Sequence, residues 1–347
     1  MSKKMEGSFG NEDPNASERK KDHISLAFQS IVDGNELDHR FYYEPVLSGH
    51  PDSGSKISKN FLGKQFDMPV WVSSMTGGTA MAGTINKNLA RACADFGMGM
   101  GLGSCRQLLY DDTYLQDFQL RKIIGGQPLY ANLGIAQIIT LIKEEKIRLI
   151  TELLQKLEAD GLIVHINPLQ EWLQPEGDRY FMSPLDAIQR LLEKMPSSKI
   201  IVKEVGQGMG IKSLESLLTL PLAAVDFAAS GGTNFALLEL LRQEAGHEHE
   251  LKPLACVGHS AFEMVEMVNS IKDELTDKIL CEEVIISGGI RDFLDGYYLI
   301  NKCKISAVYG QASGFLKYAM GSYEELYDYV SKQKQGLLIA NTFLRIK

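Results

Sequence analysis

Short apolar runs rich in β-branched residues recur along the chain, each closing on glycine or a polar residue. They predict strands at Pro69–Ser74, Met98–Ser104, Leu129–Gly134, Leu162–Asn167, Ile200–Gly206, Ala224–Ser230, Val284–Gly288 and Ile305–Gly310. Between them the apolar positions take helical spacing. Ile85, Leu89, Ala92 and Phe96 share one face. Ser183-Pro184-Leu185-Asp186 reads as a capping box with proline at the first helical position, heading a helix to Met195. Phe235–Glu244 and Phe262–Leu275 read as helices, and the tail from Ser322 onward is helical in pattern. Strands alternating with helices imply parallel pairing, and eight such units imply an α/β fold of the closed (β/α)8 TIM-barrel type rather than an open doubly wound sheet. Pro253–Gly258 has the look of a ninth strand and is read as an elaboration between the sixth and seventh units. Residues 1–68 are expected to form an extension that covers the barrel mouth, and residues 69–347 the barrel with a C-terminal helix.

Composition narrows the classes. Hydrophobic residues make up 44% of the 347, too many for a disordered chain. Against 44 acidic residues stand 36 basic ones, a net charge of -8, which argues against an electrostatic grip on nucleic acid. Cys93, Cys105, Cys256, Cys281 and Cys303 are an odd number without a C-x-x-C pair, which suits reduced thiols in a cytoplasmic protein. No run of about 18 apolar residues marks a membrane span, and the first 22 residues lack the apolar stretch of a signal peptide.

In such a barrel the active site is built at the C-terminal ends of the strands. Three of these ends carry Gly-Gly pairs, at Gly77-Gly78, Gly231-Gly232 and Gly288-Gly289. Glycines there let backbone approach a ligand closely. Gly288, Gly289, Ile290 and Arg291, with Gly310 and Gln311, follow strands seven and eight, the usual phosphate site of the fold. Exposed N–H groups, the positive end of the following helix and Arg291 would receive the anion; the same glycines also suit a plain tight turn. His165 and Asn167 share one face of the fourth strand, which should point into the mouth, with Gln170 and Glu171 just above. Glu171 suits either a Mg²⁺ held with substrate phosphates or a surface ion pair. Lys203 lies in an apolar run and needs either an acidic partner or an anionic ligand. The glycines at 97, 99, 101 and 103 give one face of the second strand a smooth surface, room for a planar ring or for tight packing. Arg19, Lys20 and Lys21 with His23 form a basic cluster, either solvated or closing over a polyanion.

In order along the chain, these residues resemble the flavin-dependent type 2 isopentenyl-diphosphate isomerases. The similarity runs from Arg19 to about Leu316 and is most specific at His165–Glu171 with Gln174-Pro175-Glu176-Gly177-Asp178-Arg179. The resemblance implies FMN in the barrel mouth, Mg²⁺, NADPH as reductant, and interconversion of isopentenyl and dimethylallyl diphosphate by an allylic proton shift. It also implies a homo-oligomer, a tetramer or larger. By motif, Met75, Thr76, Gly77, Ser104, Asn132, Lys203 and Thr233 would line the flavin, and Gly288–Arg291, Gly310 and Gln311 its phosphate. Arg19, Lys20, His23, Arg106, His165, Asn167 and Gln170 would meet the substrate, with His165, Asn167 and Gln170 at the reacting carbons and Glu171 on the metal. The chain departs from the family pattern at Gln207, Gly210, Ala228, Cys256–Ser260 and Gly314. The alternatives are an FMN-dependent 2-hydroxy-acid oxidase or dehydrogenase on the same barrel, and a non-catalytic barrel that binds a phosphorylated ligand.

Overall fold

Eight parallel strands hydrogen-bond edge to edge into a closed barrel in the computed structural model, which describes residues 15–52, 54–74, 80–242 and 248–347. The strands are β1 (Val70–Val72), β2 (Gly99–Gly101), β3 (Leu129–Gly134), β4 (Gly161–His165), β5 (Lys199–Lys203), β6 (Ala224–Asp226), β7 (Glu283–Ser287) and β8 (Ser306–Gln311). Each pairs with the next. β8 closes the ring on β1, with Tyr309 opposite Val70 and Gln311 opposite Val72. The eight predicted strands are all present, and the helices predicted around them surround the barrel. Ile85, Leu89, Ala92 and Phe96 are buried on helix Ala80–Phe96. Ser183 caps helix Pro184–Lys194, and Ser322 caps the long helix Tyr323–Phe343.

Pro253–Gly258 is not a strand. Pro253 stands inside helix Glu248–Ala255, and the chain then turns into Ser260, which heads helix Ala261–Glu274 through a capping box with Glu263. Among the described residues, no helix is long and apolar enough to cross a membrane.

Two compact units divide the chain, one of residues 1–42 with Lys347, the other Tyr43–Ile346. In the first, helix Ala16–Leu26 carries Arg19, Lys20 and His23 and buries none of its residues. The second holds the barrel together with the hairpin Lys59–Phe61 and Lys64–Phe66. This hairpin corrects the expectation that everything before residue 69 covers the mouth, because it meets the opposite end of the barrel. Leu62 N–H donates to Glu283 at the start of β7 (2.8 Å), and Lys199 at the start of β5 donates to the Leu62 carbonyl (2.7 Å). Lys64 pairs with Asp160 just before β4 (2.6 Å). The turn needs positive φ at Leu62 (54°) and Gly63 (73°), the two-residue hairpin geometry whose twist matches the strands.

The hairpin drives Phe61, Leu62 and Phe66 into the barrel, where they pack with Trp71, Tyr130, Ile163, Ile201, Ala224, Ile285 and Val308. At Gly99 and Gly101 the smooth face of β2 serves this packing, filled by the Trp71 and Phe66 rings and the Ile163 side chain. A Cβ on Gly99 would lie 2.6 Å from Trp71 and 2.9 Å from Phe66, and one on Gly101 would overlap Ile163. Replacing Phe66 by alanine should cost about 3–5 kcal/mol of stability, read as a lower urea midpoint. An unchanged midpoint would remove the hairpin from the barrel's core.

Candidate active site

Side chains alternate along a strand, so the residues two positions beyond the apolar layer also point inward. They are Ser73, Gly101, Asn132, His165, Lys203, Asp226, Ser287 and Gly310. Six of the eight are polar, so the barrel interior changes character within one layer, from apolar packing to a hydrogen-bonded floor at the C-terminal end.

On one side of this floor, Asn132 Nδ2 donates to the Leu102 carbonyl (3.0 Å), which turns its Oδ1 toward His165 Nδ1 (2.9 Å). Nδ1 therefore carries the ring proton, and Nε2 is left as an acceptor. Burial, reinforced by the Lys203 charge, pushes the imidazole down to about 3. On the other side, Lys203 and Asp226 stand in register on β5 and β6, both buried. Lys203 Nζ donates to the Glu204 carbonyl (2.7 Å). Ser287 donates its hydroxyl to Asp226 Oδ1 and accepts from Ala228 N–H (2.9 Å). Burial raises the Asp226 carboxyl, while Lys203 and the Ser287 bond pull the other way. The Glu204 carboxylate accepts three backbone N–H groups, from Gly206 (2.6 Å), Gln207 (2.7 Å) and Gly208 (3.0 Å), and so folds the loop after β5 over the floor.

Above this side lies a cavity of about 360 Å³. Eight residues predicted for a cofactor line it: Lys203, Thr233, Gly288, Gly289, Ile290, Arg291, Gly310 and Gln311. Gly288 has φ +90°, and a side chain there would overlap the Ala229 backbone, so only glycine permits this approach. Two details differ from expectation. The helix after β7, Phe293–Lys302, has its positive end taken by Asp292, which accepts from Leu294 N–H (2.9 Å) and Asp295 N–H (3.0 Å). The helix after β8, Ser313–Ala319, has no side-chain cap, and its first residues Ala312, Ser313 and Gly314 line the cavity. The helix start left open at the cavity is thus that of the later helix. Arg291 lies alongside with Nε 3.2 Å from Asp295. The Gln311 amide is engaged by Ile290, Gln333 and Tyr329, so it braces the wall.

The β4 end forms a second group. Asn167 precedes the short helix Pro168–Leu173, with Pro168 at its first position. Asn167 Nδ2 donates to Gln170 Oε1 (3.1 Å) and Glu171 Oε1 (3.0 Å). Gln170 in turn donates to Glu239 (3.2 Å), a buried carboxylate paired with Arg242 (2.5 Å). Glu171 Oε2 accepts from Asp178 N–H (2.7 Å), and Arg106 pairs with Asp178 (2.9 Å). Asn167, Gln170, Glu171 and Arg106 are therefore drawn together, through Asp178, by a continuous set of bonds, while His165 is held apart from it by Asn132. Among the described residues, no group of three His, Cys, Asp or Glu side chains is placed to hold a metal.

Other expected residues fall elsewhere. Asn132 braces His165 and does not line the cavity. Ser104 is exposed in the loop after β2, its hydroxyl 3.5 Å from Arg106 N–H. Met75, Thr76 and Gly77 lie outside the described residues. Sequence reasoning missed Ser73, Ser74, Asp226, Glu239 and Ser287. Asp226 had a readable signal, being a lone charge in the apolar run Ala223–Ala229, just as Lys203 is in its own run. Glu239 is one of several acidic residues on a helix, and nothing local marks it.

Held at about 3 against 6.5 in the free side chain, His165 binds fewer protons in the fold than in the unfolded chain between these values. The contribution of His165 to stability should therefore fall as pH drops from 6.5 toward 3 and be constant above, read as the difference between the wild type and His165→Gln. Nitrogen-15 NMR should show a neutral ring protonated at Nδ1 from pH 5 to 8. A ring titrating near 6.5 would contradict the geometry.

No family model matches the chain. Curated relatives do. The isopentenyl-diphosphate delta-isomerase of Rickettsia felis is 33% identical over 308 residues, covering 87% of this chain and 85% of the relative. The enzyme of the same name from a Nostoc species is 35% identical over 283 residues, covering 80% and 77%. Among solved structures, a mandelate oxidase variant with a monooxide FMN adduct superposes with a TM-score of 0.54 at 12% identity, covering 89% of this chain and 88% of that one. A flavocytochrome b2 variant with sulfite bound gives 0.57 at 15% identity, covering 88% and 72%. At such identities these two likenesses concern the fold. The relatives in sequence settle the family: the chain belongs to the isopentenyl-diphosphate delta-isomerases.

Proposed function

We propose that this protein interconverts isopentenyl and dimethylallyl diphosphate with reduced FMN and Mg²⁺, the type 2 form of the activity. The observation that carries the flavin is the polar floor beneath a glycine-walled cavity. Ser73 Oγ and Ser74 Oγ, on residues that line the cavity, are buried without a hydrogen-bond partner, and such atoms are costly unless a polar ligand meets them. The residues present fit FMN. Lys203 and the two serines would hold the polar edge of its ring, with Thr233 beside them. Gly288, Gly289, Ile290, Arg291 and Gly310, with the open helix start at Ala312–Gly314, would take its phosphate. When bound and reduced, for which NADPH is the proposed donor, FMN supplies a ring nitrogen able to exchange a proton with the alkene.

The chain's own residues bind, orient and shield. Glu171 would ligate Mg²⁺ on the diphosphate, with Arg106 beside it. Arg19, Lys20 and His23 are proposed to add charge to the same anion from the segment of residues 1–68. Binding at the diphosphate is remote from the reacting carbons and serves to orient them. Gln170 has no acidic proton of ordinary strength. Fixed between Asn167 and Glu239, it orients the substrate or relays a proton. His165, kept neutral, brings no positive charge against a developing carbocation, and excluding water protects that cation. The five free cysteines suit a cytoplasmic setting, and a homo-oligomer of four or more copies is part of the proposal.

Anaerobic NMR with isopentenyl diphosphate, FMN, NADPH and Mg²⁺ should show dimethylallyl diphosphate. No product from a flavin-loaded, reduced sample would overturn the reading. Glu171→Gln should raise the Mg²⁺ needed for half-maximal rate by about tenfold or more while retaining bound flavin. Unchanged metal dependence would remove Glu171 from the metal.

A further inference from the structure

Asp178 lies in the loop Gln174–Arg179, which folds back on the helix it follows. Gly177 N–H donates to the Gln174 carbonyl (3.0 Å). Arg179 donates to the Trp172 carbonyl (2.9 Å), and its guanidinium sits 4.9 Å over the Trp172 ring. A side chain at 177 would overlap the Glu171 carbonyl, so glycine permits the fold-back. The result sets Asp178 where three strand ends meet. Its N–H donates to Glu171 Oε2, after β4. Its Oδ2 accepts from Arg106 Nη1, after β2, and from Gln137 Nε2 (3.2 Å), after β3. Gln137 is itself held by Gly134 N–H (3.1 Å).

We propose that Asp178 is a positioning residue that fixes the Arg106 guanidinium at a set place beside the Glu171 carboxylate, so that both act on one magnesium-diphosphate group. The inference rests on the functional reading above for the identity of that group. Arg106 is largely exposed, and a free arginine side chain loses much rotamer freedom when it docks on an anion. Asp178 is anchored independently by Glu171 and Gln137, so it holds Arg106 rather than following it, and part of that entropy is spent before the ligand arrives.

The test uses the full-length, FMN-loaded protein and inorganic pyrophosphate with Mg²⁺ in a calorimeter, beside steady-state rates with isopentenyl diphosphate. Asp178→Asn should weaken pyrophosphate binding and raise KM about fivefold, the scale of one exposed charge pair, with kcat changed less than about twofold. The flavin spectrum and melting temperature should stay as in the wild type. Arg106→Ala should weaken binding more, and adding Asp178→Asn to it should cost little further, because Asp178 acts through Arg106. Unchanged or tighter binding in Asp178→Asn, or losses that add in the double variant, would overturn the proposal. A wild type that binds pyrophosphate but forms no dimethylallyl diphosphate would overturn the functional reading alone. One that binds no pyrophosphate would overturn both.

Discussion

The structure depends on a change of polarity between two adjacent layers inside the barrel. Trp71, Tyr130, Ile163, Ile201, Ala224, Ile285 and Val308 make a dry layer sealed from below by Phe61, Leu62 and Phe66. Two residues further along, six of the eight strands present a polar group inward: Ser73, Asn132, His165, Lys203, Asp226 and Ser287. The dry layer fixes the strands with the rigidity of close packing. The polar layer inherits that rigidity, so its groups are held in place without reorganising around a ligand.

Burying charge is costly, and the polar layer meets the cost locally. Lys203 donates to the Glu204 carbonyl, Ser287 donates to one carboxyl oxygen of Asp226, and Glu204 accepts three backbone N–H groups. His165 avoids the cost by staying neutral. Unpartnered oxygens remain on Ser73 and Ser74, which line the glycine-walled cavity, and on Asp226. The β4 end works differently. Arg106, Asp178 and Glu171 are less buried there, and hydrogen bonds and ion pairs run from Arg106 through Asp178, Glu171, Asn167, Gln170 and Glu239 to Arg242, an arrangement suited to a hydrated, doubly charged group.

Much of this was legible in the sequence, for physical reasons. Period-two alternation and strand-ending glycines are local signals, so the eight strands and the phosphate-side glycines could be read directly. His165 and Asn167 could be placed on one face by the same period. What could not be read depends on partners distant in the chain. Gly99 and Gly101 look like open space until Trp71, Phe66 and Ile163 are seen to fill it. Of the two helix starts that follow strands seven and eight, Asp292 takes the first, and whether a helix start is open depends on such a cap. Nothing local in residues 59–66 distinguishes the two ends of a barrel. The hairpin's contacts with Asp160, Lys199 and Glu283 do.

The central claim is that the polar floor and glycine walls seat a flavin. Gly232 tests it most directly. It lines the cavity at ordinary φ, and an added Cβ would come no closer than 3.4 Å to its neighbours, so a larger residue fits the fold while its side chain occupies cavity space. FMN titrated into flavin-free protein should quench with one-to-one saturation in the wild type and bind far more weakly in Gly232→Val, with both proteins equally folded. Equal affinity in the two, or no saturable binding in the wild type, would contradict the account.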